Sequence, residues 1–279
     1  MKILDGRKVR DRIAKKIQAD LKKLHVKPAL AIIQVGDNAS SNAYIEQKKI
    51  FGEKIGFKVS HIRFDAKTTE NVLFSKIHVL NADKRINGII IQLPLPKNLD
   101  KQKILETISP EKDVDGLNSK NLSRLMTHAD GGFVPATTKG ILSLLDYYKI
   151  PIEGKKVTVV GRSQLVGAPT ALAFLNRNAT VTVCHRKTKN LKDEVKKADI
   201  VVVAAGHPKL IKKDFVKKGQ IIIDVGITRI GKDIFGDVDF KSVSKIVKAI
   251  SPVPGGVGPM TVVSLFENIL TAYRRQHEK

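Results

Sequence analysis

Runs of strand length that are apolar at nearly every position, each followed by helical spacing, recur along this chain. They constrain its fold more than any other feature. Ala29–Val35 reads Ala-Leu-Ala-Ile-Ile-Gln-Val and is closed by Gly36. Residues 88–93 read Gly-Ile-Ile-Ile-Gln-Leu and are stopped by Pro94 and Pro96. A strand apolar on both faces has to be covered on both, as in a parallel sheet packed between helices. Val9, Ile13, Ile17, Leu21 and Leu24 repeat at helical spacing ahead of the first run. After it, Ser40 or Ser41 can cap a helix through about Lys54, ended by Gly56. Residues 57–64 read as a strand and 69–80 as a helix.

The pattern loosens between 109 and 140, around Gly131-Gly132 and Pro135, and helical spacing returns over 139–148. A turn at 151–154 opens a second series, with strands at 156–160, 180–184, 200–205 and 220–225 and helices between the first three. A Pro/Gly-rich segment, Ser251-Pro-Val-Pro-Gly-Gly-Val-Gly-Pro259, precedes a last helix over about 260–275. The expected fold class is α/β, in two units with a cleft between them, the usual place for a ligand.

Composition narrows the classes of function. The 50 basic and 27 acidic residues leave a net charge of +23, which invites a nucleic-acid reading. Against it, 38 of the basic residues are Lys and 12 are Arg, and bidentate base and phosphate recognition favours Arg. Pairs such as Lys15-Lys16, Lys22-Lys23, Lys196-Lys197 and Lys217-Lys218 are scattered like solvated helix faces. Aromatics at 5%, with no Trp, offer little on which bases can stack. No nucleic-acid partner is expected. One cysteine, Cys184, reads as a buried strand residue and points to a reducing compartment. The start MKILDGRKVR lacks the apolar core of a secretory signal, and no run approaches a membrane span. A soluble cytoplasmic protein without membrane contact is the expectation. The seven histidines show no metal-ligand spacing, so no metal is expected.

Val157-Thr-Val-Val-Gly161-Arg162-Ser163-Gln-Leu-Val166-Gly167-Ala-Pro169 reads as a strand, a tight glycine turn and a helix. A pyrophosphate can lie on such a helix N-terminus. The middle glycine of the usual Gly-x-Gly-x-x-Gly is replaced near Ser163, and the last glycine falls one residue late. NAD sites usually place an acid about 20 residues on, at the end of the next strand. Here that place reads Cys184-His185-Arg186-Lys187-Thr188. Arg186, helped by Lys187 and Arg162, would suit a 2′-phosphate, favouring NADP over NAD; the alternative is a solvated basic turn.

In the first half, Tyr44 and Lys48 lie four apart and share a helix face. Gln92 ends a buried strand, and Asp113-Val-Asp115-Gly116 follows a Ser-Pro turn. Each alone has an ordinary structural reading. In order, Tyr44-x-x-x-Lys48, Gln92-Leu-Pro-Leu-Pro96, Asp113-Val-Asp115-Gly116, Gly161-Arg-Ser163-x-x-Val-Gly167-x-Pro169 and Pro252-Val-Pro-Gly-Gly-Val-Gly-Pro-Met-Thr261 resemble the bifunctional methylenetetrahydrofolate dehydrogenase/methenyltetrahydrofolate cyclohydrolase family. The resemblance covers essentially the whole chain.

It implies a folate-binding catalytic domain over 1–117, completed by 260–279, and a Rossmann-type NADP domain over 118–259. It also implies a homodimer, a tetrahydrofolate derivative as substrate, and NADP-dependent hydride transfer followed by hydrolysis of the methenyl bridge. Lys48 is then the catalytic residue, Gln92 its hydrogen-bonding partner, Tyr44 a substrate-orienting residue and Asp115 the pterin anchor. Pro254, Gly255 and Gly256 would contact substrate. Gly161, Arg162, Ser163, Val166, Gly167, Arg186 and Ile227 would hold the cofactor. The chain departs from the family at Phe133-Val-Pro135-Ala136-Thr137-Thr138-Lys139-Gly140, where a cysteine and a second proline are missing, so altered loop packing is expected there. The runner-up is another two-domain oxidoreductase, acting on a shikimate-like acid; it accounts for neither Gln92–Pro96 nor the proline-glycine segment.

Overall fold

The computed structural model describes residues 1–231 and 233–277. In chain order its elements are β1 (Lys2–Ile3), α1 (Gly6–Leu21), β2 (Ala29–Val35), α2 (Ala39–Ile55), β3 (Lys58–Phe64), α3 (Glu70–Ala82), β4 (Gly88–Ile91), α4 (Lys101–Thr107), α5 (Ser119–Thr127), α6 (Ala136–Tyr147) and β5 (Lys156–Val160). Then come α7 (Gly167–Leu175), β6 (Thr180–Cys184), α8 (Leu191–Lys197), β7 (Ile200–Val203), β8 (Ile221–Asp224), β9 (Thr228–Ile230), β10 (Asp233–Phe235), α9 (Phe240–Val243), β11 (Ala249–Ile250) and α10 (Val257–His277). Among the described residues, no helix is long and apolar enough to cross a membrane.

Two compact units form. Met1–Arg12 joins Thr137–Val263, and Ile13–Ala136 joins Ser264–Lys279, whose last two residues lie outside the described ones. The cuts differ from the boundaries expected at 117 and 260, for two local reasons. β1 pairs in parallel with β11, Lys2 opposite Ala249, which draws the N-terminus to the larger sheet. Residues 118–136 stay with the smaller sheet because the Asn118 backbone N–H and the Asn121 amide bond the Asp113 carboxylate, while Asn268 bonds the carbonyls of Val114 and Val134.

The unit that begins at Ile13 is built on a three-stranded parallel sheet in the order β3-β2-β4. β2 is central and every residue of it is buried, as its apolar run requires. α2 starts two or three residues earlier than the serines implied: Asn38 is the cap, its side chain accepting from the Ser41 N–H. It stops at Gly56, which takes the left-handed backbone that ends many helices. Gly52 lets α2 sit close to α10, because a Cβ there would overlap the buried Phe266 ring and Val59. Phe266 also packs on Phe51 and Phe57, with ring centroids 5.7 and 4.9 Å away. Gly52→Ala should therefore cost about 1–3 kcal/mol by overpacking, read as a lower urea midpoint; an unchanged midpoint refutes the tight fit.

The other unit is built on a six-stranded parallel sheet in the order β1-β11-β8-β7-β5-β6. From β5 the chain passes to β6 on one side and later returns to β7 on the other. The strand order thus reverses at β5, and ligands of such sheets bind beyond the carboxyl ends of the strands at that point. β9 and β10 form a separate antiparallel hairpin.

The segment read as loose, 109–140, holds one complete helix, α5, and the start of another, α6. α5 is capped by Asn118, which accepts from the Lys120 N–H. Ala136–Gly140 forms the first turns of α6, not a loop as expected. There the Thr138 hydroxyl, fully buried, lies 2.9 Å from that of Thr170.

Candidate active site

α2 carries Tyr44 and Lys48 one turn apart, both partly buried. Gln92 follows β4 and prolongs its pairing, its N–H bonding the Ile33 carbonyl at 2.8 Å. The Gln92 amide nitrogen donates to the Leu93 carbonyl at 2.8 Å, which turns its oxygen toward α2. Lys48 Nζ donates to that oxygen at 3.1 Å. Surrounding protein strips water from the ammonium and pulls the Lys48 pKa down; the Asp115 carboxylate opposes the shift. Burial pushes the Asp115 carboxyl up, opposed by the Lys48 charge. The lysine and the aspartate therefore feel one another, and each is easier to neutralise than in water.

Asp115 is presented by a turn that other residues lock. The Asp113 carboxylate, 1% exposed, accepts from the Asn118 N–H and the Asn121 amide, both at 2.8 Å. Asn268 donates to the Val114 carbonyl at 2.9 Å. Gly116 has φ +70°, and a Cβ there would meet the Phe133 carbonyl at 2.6 Å. Desolvation raises the Asp113 pKa to about 6 despite these donors. Sequence reasoning placed Asp113 in a motif without giving it a role, and it did not single out Asn118, Asn121 or Asn268. The available signal was Asn268, a polar side chain within the apolar stripe of α10.

In the unit of the six-stranded sheet the glycine turn is built as a close approach. Gly161 has φ +120°, and a Cβ would strike the Ala204 carbonyl; one on Gly167 would strike the Gly161 carbonyl. Ser163, standing near the missing glycine, accepts on its hydroxyl from the Val166 and Gly167 N–H groups at 3.3 and 3.4 Å. Arg162 and Ser163 are exposed beyond the carboxyl end of β5, at the reversal of strand order. This shape, a glycine turn opening α7, fits a pyrophosphate. Arg186 is exposed in the turn after β6, which the Thr188 hydroxyl closes by accepting from the His185 N–H at 2.8 Å. Ile227, 44% exposed, follows β8. Pro254 is exposed, while Gly255 and Gly256 are buried; the Gly255 carbonyl accepts from the Gly6 N–H at 2.9 Å. The structure thus gathers Lys48, Gln92 and Asp115 in one unit, with Tyr44 a turn away on the same helix. Gly161 to Gly167, Arg186, Ile227 and Pro254 to Gly256 belong to the other.

Comparison with known proteins follows the same division. Residues 4–115 match the family described as tetrahydrofolate dehydrogenase/cyclohydrolase, catalytic domain, and residues 135–277 its NAD(P)-binding domain. The chain is 44% identical over 278 residues to the bifunctional protein FolD of Aquifex aeolicus, covering 98% of this chain and 96% of that one. The crystal structure of the bifunctional FolD dehydrogenase/cyclohydrolase of Campylobacter jejuni superposes with a TM-score of 0.96 at 42% identity, covering 99% of both chains. That of Trypanosoma brucei, solved with NADP and an inhibitor, has a TM-score of 0.93 at 34% identity and covers 98% of this chain and 97% of its own. A shikimate dehydrogenase from Aquifex aeolicus, at 13% identity and a TM-score of 0.56, shares the fold alone. With both family domains matched along almost its full length, the chain belongs to the tetrahydrofolate dehydrogenase/cyclohydrolase family.

Proposed function

We propose that the chain oxidises 5,10-methylenetetrahydrofolate to the methenyl form with NADP, then hydrolyses the methenyl bridge to 10-formyltetrahydrofolate. The observation that carries this reading is the Lys48–Gln92 hydrogen bond in a desolvated site coupled to Asp115, in a member of this family. When bound, NADP supplies the hydride acceptor. The glycine turn at Gly161, Arg162, Ser163, Val166 and Gly167 would hold its pyrophosphate and Arg186 its 2′-phosphate, with Ile227 lining the site. Pro254, Gly255 and Gly256 contact the folate.

Hydride removal from the methylene carbon releases no proton, so this step asks mainly for alignment. Tyr44 orients the pteridine, and the Asp115 carboxylate accepts two N–H groups from its amino-pyrimidine edge, as a carboxylate does from guanidinium. Hydrolysis differs: water adds to the cationic methenyl carbon, the bond to one ring nitrogen breaks, and one proton leaves overall. Lys48, with its pKa lowered toward neutrality, takes that proton as an amine. Gln92 holds Nζ in place. The positive charge of the methenyl group lowers the lysine pKa further when substrate is bound.

Absorbance at the reduced nicotinamide and methenyl bands, with purified protein, methylenetetrahydrofolate and NADP, tests the reading. Both bands should grow and the methenyl band then decay; silence in both rejects it. The same assay addresses the dinucleotide. Losing one charge-assisted contact should make Arg186→Ala lower the NADP/NAD ratio of kcat/KM about tenfold. An unchanged ratio makes the turn merely solvated.

β6 is an edge of the six-stranded sheet, with Val183 41% exposed, and nearby Leu175 of α7 is 57% exposed. An open edge of this kind supports a homodimer, measurable by sedimentation. The single cysteine, buried and unbridged, supports work in the cytoplasm.

A further inference from the structure

The unit of the six-stranded sheet holds two buried carboxyl groups that the chemistry above leaves unused. Asp224 ends β8 and Asp237 follows β10; they are 3% and 0% exposed. One Asp224 oxygen accepts from the Gly226 and Asp237 N–H groups, both at 3.0 Å, and the other from Val238 at 2.9 Å. Asp237 Oδ2 accepts from the Ala205 and Gly206 N–H groups at 2.6 and 2.8 Å, while its Oδ1 is buried without a hydrogen-bond partner. Each carboxyl group lies against a glycine that leaves space for it. A Cβ on Gly226 would run into the Asp237 carboxyl, and one on Gly236 into that of Asp224.

The segments these groups hold are those that follow β7 and β8. Ala204 closes against Gly161, whose missing Cβ leaves space for the Ala204 carbonyl, so the 204–206 backbone forms a wall of the glycine turn. β7 is the neighbour of β5 across the reversal of strand order. Gly226, bonded to Asp224, precedes Ile227. Burying two adjacent carboxyl groups is costly. Burial and mutual repulsion push Asp224 up to about 7, and burial pushes Asp237 up as well. A pair with so few compensating charges is a poor choice for holding a hairpin alone.

We propose that Asp237 and Asp224 are positioning residues for the dinucleotide, clamping the 205–206 and 226–227 backbone that borders its site. This rests on the dinucleotide reading of the glycine turn. The bifunctional enzyme carries its own control, because hydrolysis of added methenyltetrahydrofolate uses Lys48 and needs no dinucleotide. Asp237→Ala leaves the Ala205 and Gly206 N–H groups without their acceptor. It should raise the KM for NADP and the Kd for NADPH at least tenfold, with the folate KM and the cyclohydrolase rate within about twofold of wild type. Asp237→Asn keeps an acceptor oxygen and should restore most of the loss. Unchanged NADP constants overturn the proposal. So does an equal fall in both activities that Asn does not rescue, the mark of a structural role only. Should the alanine variant not fold, Asp224→Asn puts an amide where one acceptor stood and should show the same split; unchanged NADP constants there overturn the proposal too. Wild-type protein that fails to bind NADPH at all would instead reject the underlying dinucleotide reading.

Discussion

Lys48→Met is expected to cut cyclohydrolase turnover by at least the 100- to 10,000-fold typical of a lost general base, while folate still binds. Hydride removal needs no base, so methenyl product should accumulate where wild type passes it on. The check is the decay of the methenyl band against its uncatalysed rate. Formyl product formed at a near wild-type rate would remove Lys48 from the chemistry. The same group sets a pH dependence in the wild type. Desolvation lowers its pKa, and only the neutral amine accepts a proton, so cyclohydrolase activity should be lost as pH falls through that lowered value. Ordinary lysines near 10.4 would leave almost no amine at neutral pH.

Asp115→Asn should raise the folate KM of both activities about 10- to 100-fold, the worth of a hydrogen bond to a charged group. It carries a second, separable signature. The Asp115 carboxylate is the charge that holds the Lys48 pKa up against desolvation. Removing it should move the cyclohydrolase pH profile to lower pH, even as substrate binding weakens. A variant with unchanged folate KM would argue against the pterin anchor. One with weakened binding but an unmoved profile would show that Asp115 and Lys48 do not communicate. The turn that presents Asp115 is locked by Asp113 and Asn268, so the loss in Asp115→Asn is expected to be local.

Much of the scaffold was legible because parallel strands declare themselves. Each of β2, β4, β5 and β7 is almost wholly buried, and each reads as a mainly apolar run, broken only by Gln34 in β2 and by Lys156 and Thr158 in β5. Helices long enough to repeat their period, such as α1 and α10, were equally visible. α4 and α5, with seven and nine residues, were not, whereas α7 and α8, no longer, were implied by the parallel strands they connect. The cap of α2 was placed late because Asn38 competes with Ser41 for one role; the Ser40 side chain lies outside the described residues. β1 has two residues and no pattern of its own, and only its pairing with β11 makes it a strand.

The candidate site divides the same way. Tyr44, Lys48, Gln92 and Asp115 could be named from motif order, since residue identity and spacing survive in the one-dimensional record. Local sequence also determined the parallel α/β class and the glycine turn, because periodicity and φ preference act over a few residues. The tertiary structure decided which groups are perturbed and by what. The Lys48–Gln92 bond spans 44 residues of sequence, and the lowered lysine pKa arises from desolvation by packed segments, against the opposing charge of Asp115. Asp224 and Asp237 became notable only when β8 and the β9–β10 hairpin buried them side by side. Desolvation and Coulomb interaction depend on distance in space, and distance along the chain does not set it.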